Sequence, residues 1–252
     1  MMVVPEGGST FFHNLTHIFD GHTTVEHALP VAPLYDDVLT AFSRSGTAYT
    51  PTLIVGYGGL WGENYWYHHT DVSKNERLLA FSPRAVIDQR ALRRPMAEEE
   101  DYNHIELAKS AAEIWRRSGR AELGAHGQIQ GIGAHWEMWM FAQGGLSPHE
   151  TLKVATIGGA RALGMDGDIG TIEKGKLADL VFYAPENDPL QDIRRSEKHT
   201  WVMKGGRLFD AMTLDQILPD AKKRPPGPRL DMLDRDALST LGGCGCSGAH
   251  TH

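Results

Sequence analysis

Four times in succession, a short β-branched or apolar run gives way to a segment whose apolar residues recur at helical spacing. Val3-Val4 leads through PEGG into residues 10–20, where Phe11, Phe12, Leu15, Ile18 and Phe19 share one helical face. TTVEHA (23–28) precedes a segment with Leu34, Val38, Leu39 and Phe42 in helical register, stopped by Gly46. AYTPTLIVGYGG (48–59) is a third strand and enters GYGGLWGENYWYHH, which reads as a long surface loop. A helix over AEEEDYNHIELAKSAAEIWRRSG follows, with acids in its first turn, arginines in its last and Gly119 beyond, as the helix dipole favours. AELGAHG (121–127) is the fourth strand, followed by helices over HWEMWMFAQGG and over SPHETLKVATIGGARALG, the latter with Ser147 as N-cap and Pro148 at its first position.

Such alternation requires a mostly parallel sheet with helices outside it, because parallel neighbours can be joined only by a crossover. A (β/α)8 barrel and an open doubly wound sheet both satisfy it. No GxGxxG or GxxxxGK[ST] occurs, which disfavours the phosphate-cradling open sheets. Polar residues gather at the C-terminal strand ends: Glu6, Glu26 with His27, and His126. In a barrel those ends converge on one face, where catalytic groups are collected from several strands. A histidine that closes a buried β-branched run needs a partner, and a metal ion at such a mouth provides one.

The 252 residues carry 41% hydrophobic and 23% charged side chains, an ordinary globular profile. A formal charge of −7 argues against a nucleic-acid partner, and the apolar runs are too short for a membrane partner. The first residues show no basic n-region or apolar h-region, so the compartment stays open, with the cytoplasm as default. Three domains are expected: a partial barrel over 1–167, a small β unit over 168–218 built around a hairpin at Lys204-Gly205-Gly206, and a Pro- and charge-rich tail over 219–252. Within the tail, Cys244, Cys246, His250 and His252 are soft-metal ligand types at spacings too short for a zinc finger.

GLSPHETLKVATIGGARALGMDGDIGTIEKGKLADLVFYAPENDPL resembles the C-terminal signature of the amidohydrolase superfamily. With DGHTTVEHALP, YTPTLIVGYGG and LGAHGQIQGIGAHWEMW, it is similar to the imidazolonepropionase-like and prolidase-like branch, some members of which carry an upstream β-propeller. The resemblance implies an α/β fold, the C-terminal part of a (β/α)8 TIM barrel with an appended small β-sandwich. It also implies hydrolysis of C–N bonds in small-molecule cyclic or linear amides by metal-activated water, with Zn²⁺ the expected divalent ion. The family's strand-six metal ligand falls on His27.

Two departures accompany the likeness. Val4 stands where the family has a strand-five histidine, leaving Glu6 as the nearby ligand type, and His126 stands where the family has a strand-eight aspartate. An imidazole can ligate zinc or accept a proton near neutrality, so His126 is a candidate for both tasks. The expected metal set is therefore His27, Glu6 and His126, short of the family's full complement, because the strand-one H-x-H has no counterpart in the barrel portion. Four strands make half a barrel, so the chain reads as truncated, with a missing N-terminal half or a second copy as its partner; the alternative is an inactive remnant that serves as an interaction module. Glu26 is expected to orient its neighbours. His22 precedes its strand, at the end away from the mouth, His135 caps or packs a helix, His68 and His69 belong to the aromatic loop as solvated or lid residues, and Trp136 and Trp139 face the core, or line the substrate if their helix edges the mouth.

Overall fold

The computed structural model describes residues 2–92, 95–127 and 129–226, so the Cys/His cluster of the tail lies outside the described residues. At the centre, β1 (Thr24–Glu26) and β2 (Ala48–Thr50) pair in parallel, with Val25 opposite Tyr49 and Glu26 opposite Thr50. Two further segments extend this pair in sequence order. Residues 3–7 run along β1 through Thr23 N–H to Val3 O (2.9 Å) and Gly7 N–H to Glu26 O (2.9 Å), and residues 120–122 run along β2 through Tyr49 N–H to Arg120 O (3.0 Å) and Glu122 N–H to Tyr49 O (3.1 Å).

All four expected strands are therefore located, but the outer two are reduced to single bridges at Glu6 and Ala121. Each outer segment is paired on one side only among the described residues, and Val3 and Val4, expected in a strand, are exposed. The third strand is also shorter than its apolar run, because the chain turns at Thr52 and Leu53 and Ile54 pack as buried turn residues.

Alternation along the strands sorts the side chains. Val25, Tyr49 and Ala121 point to a common face and are buried there, Tyr49 against Phe42 of α2 (Asp36–Ser45). Thr24, Glu26, Thr50 and Glu122 line the opposite face. The α2 helix buries Val38, Leu39 and Phe42 as its spacing requires and ends at Gly46, whose φ of 76° favours glycine. The first helix, α1 (Phe11–Phe19), departs from expectation: Ile18 is buried, but Phe12 and Phe19 are 76% and 73% exposed.

The aromatic stretch expected as a surface loop is a helix, α3 (Gly62–His69). Trp66 meets Trp139 and Tyr67 meets Trp136, both at 5.0 Å between ring centroids, so two consecutive aromatics are buried against tryptophans of one helix where a helical period would bury one, and no clear amphipathic pattern results. Helices α4 (Glu76–Phe81) and α5 (Arg84–Ala91) follow, neither marked by a strong period. The acids expected to open the next helix instead form a separate 3-10 turn, Glu99–Asp101, and α6 runs from His104 to Ser118, where Gly119 ends it.

Helix α7 (Ile132–Gln143) crosses α6 at very short range: a Cβ on Gly144 would lie 2.4 Å from the carbonyl carbon of Ala108. Helix α8 (Pro148–Lys153) carries the expected Ser147 cap with Glu150 completing a capping box, then passes through a π turn at Val154–Gly158 into α9 (Gly159–Ala162). Among the described residues no helix is long and apolar enough to cross a membrane.

The remaining strands, β3 (Leu180–Tyr183), β4 (His199–Lys204), β5 (Arg207–Asp210) and β6 (Gln216–Leu218), form one antiparallel sheet in that order. Its hairpin turns at Gly205-Gly206, both at positive φ, as a two-residue turn between twisted strands requires. The segment GDIGTIEKGK, which opens the β unit, forms no strand, and β6 takes the sheet's edge. The Trp139 indole N–H donates to Ile193 O, and Arg77 donates to Glu197 O and His199 O, which holds the sheet against the helices.

The α6–α7 crossing yields a test. Gly144→Ala should lower unfolding free energy by about 1–3 kcal/mol, because backbone rather than a flexible side chain must yield; urea denaturation reads it.

Candidate metal centre

The parallel segments deliver their polar residues at one end. Glu6 sits on the edge segment beside β1, and Gly7 follows it so closely that a Cβ there would lie 2.2 Å from Glu26 O. His27 leaves β1 at φ 69° and His126 leaves the fourth segment at φ 52°, both in the left-handed region that non-glycine residues occupy at a cost. Thr52 does the same after β2, at φ 48°. Left-handed residues gathered at three strand ends mark a site whose surroundings over-determine the backbone.

The result is a compact donor set. Ligand atoms of Glu6, His27 and His126 all lie within 4.8 Å of one another. His27 Nε2 donates to Glu6 Oε1 at 2.8 Å, which leaves Nδ1 a bare lone pair, buried and without a partner. The His126 ring meets that of His27 edge-on at 4.7 Å, and the Tyr57 ring stacks on the other side at 4.8 Å. Burial lowers the His27 pKa, Glu6 opposes that, and His126 adds to it. A neutral, buried imidazole with an orphaned nitrogen beside a carboxylate and a second imidazole suits a divalent transition metal, and mixed N/O sets of this kind suit zinc.

All three residues singled out as ligands are thus brought together, while Val4, at the altered position, is exposed. Glu26 accepts from Thr24 Oγ1 at 2.6 Å. His22 is tied to His17 O and lies away from the cluster. His135 is packed in a cleft beside His199, with Nδ1 on Ser196 Oγ, and His69 stacks on Tyr65 and reaches Glu99 from the end of α3. Trp136 and Trp139 are buried in the core.

Three contributors escape a sequence reading. Tyr57 carries no local signal. Glu122 and Glu137 do: each is an ionisable residue inside an otherwise apolar stretch. Glu122 lies on the polar strand face, accepts from Thr50 Oγ1 at 3.1 Å and has an unpartnered Oε2; burial pushes its carboxyl up to about 8. Glu137, on α7, is wholly buried and is likewise pushed up to about 8 by burial, against backbone donors from Leu53, Ile54 and Gly124.

A model of the amidohydrolase family matches residues 131–209, and the similarities below likewise lie with amidohydrolase-type proteins, over part of their length. Among curated relatives, it is 44% identical over 69 residues to guanine deaminase of Escherichia coli (27% of this chain, 15% of that protein). It is 42% identical over 64 residues to imidazolonepropionase of Shouchella clausii (25% and 14%), and 58% identical over 92 residues to 5-methylthioadenosine/S-adenosylhomocysteine deaminase of Moorella thermoacetica (30% and 22%). In fold it resembles a Xaa-Pro dipeptidase (TM-score 0.56, 19% identity, 83% of this chain and 45% of that one) and molinate hydrolase (0.58, 16%, 93% and 46%). The chain spans about half the length of these solved structures, so its architecture is part of a larger fold.

The Glu122 carboxyl makes a pH prediction. An unfolded glutamate ionises near 4.3, whereas here ionisation waits until about 8. The stability contributed by the neutral form is therefore complete below about pH 4.3 and is lost as pH rises through about 8. Relative to the parent protein, Glu122→Gln should gain stability steadily as pH rises from about 4.3, by about 2 kcal/mol or more at pH 8.5 compared with pH 4, measured by denaturant unfolding across pH.

Proposed function

We propose that this chain carries the metal-binding half of an amidohydrolase acting on C–N bonds of small-molecule amides. The convergence of Glu6, His27 and His126 at parallel strand ends is the observation that carries the reading. On this reading the four parallel segments are consecutive strands of a (β/α)8 barrel, the cluster lies at its mouth, and the antiparallel sheet belongs to a small β-sandwich. The domains then follow the divisions 1–167 and 168–218, with a tail from 219. The half-length match to solved relatives supports a site completed by further strands, from an N-terminal half or a second copy.

His27 and Glu6 would hold the ion, with His126 as third donor. A divalent ion such as Zn²⁺ supplies water ionised near neutrality and an electrophile for the amide carbonyl. Glu6 orients the His27 ring through Nε2, and Tyr57 excludes water from its face. His126 is partly exposed beside His27, where an imidazole can take the proton from attacking water and return it to the leaving nitrogen.

The alternative, an inactive interaction module, draws support from the exposed Val3–Val4 edge, a template for strand pairing. Sedimentation separates the two quaternary expectations: self-association supports an edge that needs covering, and a cooperatively melting monomer argues against it. The chain should bind Zn²⁺ in about one equivalent, and His27→Ala should weaken binding by roughly tenfold or more, read by competition with a chromophoric chelator. His126→Ala should lose metal if His126 is a ligand, and retain metal if it acts as base only. Assays with cyclic amides, dipeptides and carbamates should show no turnover by the chain alone, because three donors leave the site short of the family's set; turnover abolished by His27→Ala would overturn that expectation.

A further inference from the structure

One buried carboxyl group ties together both walls of the metal cluster. Glu137 Oε1 accepts the amide N–H of Leu53 at 2.8 Å, Oε2 accepts that of Ile54 at 2.9 Å, and the Gly124 amide also donates to this carboxylate. The three donors come from two different strand ends. Leu53 and Ile54 follow the left-handed Thr52 and lead through Gly56 to Tyr57, whose ring stacks on His27. Gly124 lies two residues before His126, whose ring meets His27 edge-on.

The two ends are also in direct contact. A Cβ on Gly124 would stand 2.5 Å from Thr52 Oγ1, and one on Gly133 would stand 3.3 Å from Ile54 Cδ1, so α7 carries Glu137 into a junction with no spare room. A helix with apolar residues on every side admits a wholly buried glutamate only where donors already wait for it. Here the donors are the amides that would otherwise be stranded where the strands stop pairing.

We infer that Glu137 is a positioning residue: through the Leu53, Ile54 and Gly124 amides it sets the placement of Tyr57 and His126 around His27, and so tunes that cluster for metal. This rests on the metal reading above. It extends it to a residue that touches none of the three ligands and acts through backbone alone. Glutamine has the same shape but one accepting oxygen, and its NH2 would face an amide N–H, so at least one of the strand ends is released.

Glu137→Gln and the shorter carboxylate Glu137→Asp should be compared with the parent chain by urea unfolding, Zn²⁺ competition titration, and the imidazole NMR signals of His27 and His126. The expected result is a cooperatively folded Gln variant with Zn²⁺ binding weakened about tenfold or more, shifted His27 and His126 signals, and an Asp variant between it and the parent. A cooperatively folded Gln variant with parental Zn²⁺ affinity and unchanged histidine signals overturns the proposal and leaves Glu137 a packing cap. If neither variant folds, amide exchange in the parent decides: coupling is reciprocal, so Zn²⁺ should slow exchange at Leu53, Ile54 and Gly124 more than at buried α6 amides, and equal slowing overturns the proposal. If the parent binds no Zn²⁺, the metal reading fails by itself. The histidine signals of the metal-free Gln variant then decide alone, shifted in support and unshifted against.

Discussion

Parallel pairing of β1 with β2 in the register Glu26 opposite Thr50 fixes everything else. Side chains alternate across a strand, so this one register sends Val25 and Tyr49 toward the helices and Thr24, Glu26 and Thr50 to the other side. The neighbouring segments continue the choice, Ala121 joining the apolar face and Glu122 the polar one. A slip of one residue would place Tyr49 among carboxylates and Glu26 among the helices. Parallel direction has a second effect: all four segments end at the same level, which is why residues as distant in sequence as Glu6 and His126 come within ligand reach.

The polar interior shows how burial sets chemistry. The His27 ring is kept neutral by desolvation although a carboxylate touches it, so its Nδ1 lone pair is available at neutral pH. On the polar strand face, the Glu122 carboxyl is pushed up to about 8 by the same cost. Desolvation thus drives the basic group and the acidic group toward neutrality together. Backbone strain contributes too, since His27, Thr52 and His126 all adopt left-handed conformations at strand ends, and the packing of α7 through Gly133 and Glu137 holds two of those ends in place.

Much of this was legible in the residues. The β–α alternation located all four parallel segments, Gly46 and Gly119 ended the helices expected of them, Ser147-Pro148 began another, and the Gly205-Gly206 hairpin formed where its turn chemistry required. His27, Glu6 and His126 were marked by one signal, polar ligand types at the ends of apolar runs, and they converge. The reading lost accuracy where tertiary contact overrides local pattern: at α3, whose consecutive aromatics Trp66 and Tyr67 are both buried against tryptophans of one helix; at the outer segments, shortened by one-sided pairing; and at α1, whose two exposed phenylalanines satisfy the helical period without being buried.

The sequence by itself determined the α/β order, the superfamily likeness and the candidacy of Glu6, His27 and His126, because periodicity, turn chemistry and residue type are local properties of the chain. Only the tertiary structure decided which carboxylates matter and how. Glu26, Glu122 and Glu137 are chemically alike in the sequence, yet one orients beside a threonine, one is held protonated by burial and one gathers three backbone amides. The physical reason is that the cost of burying a carboxylate and the donors that offset it come from segments tens of residues away, brought together only when the strands and α7 pack.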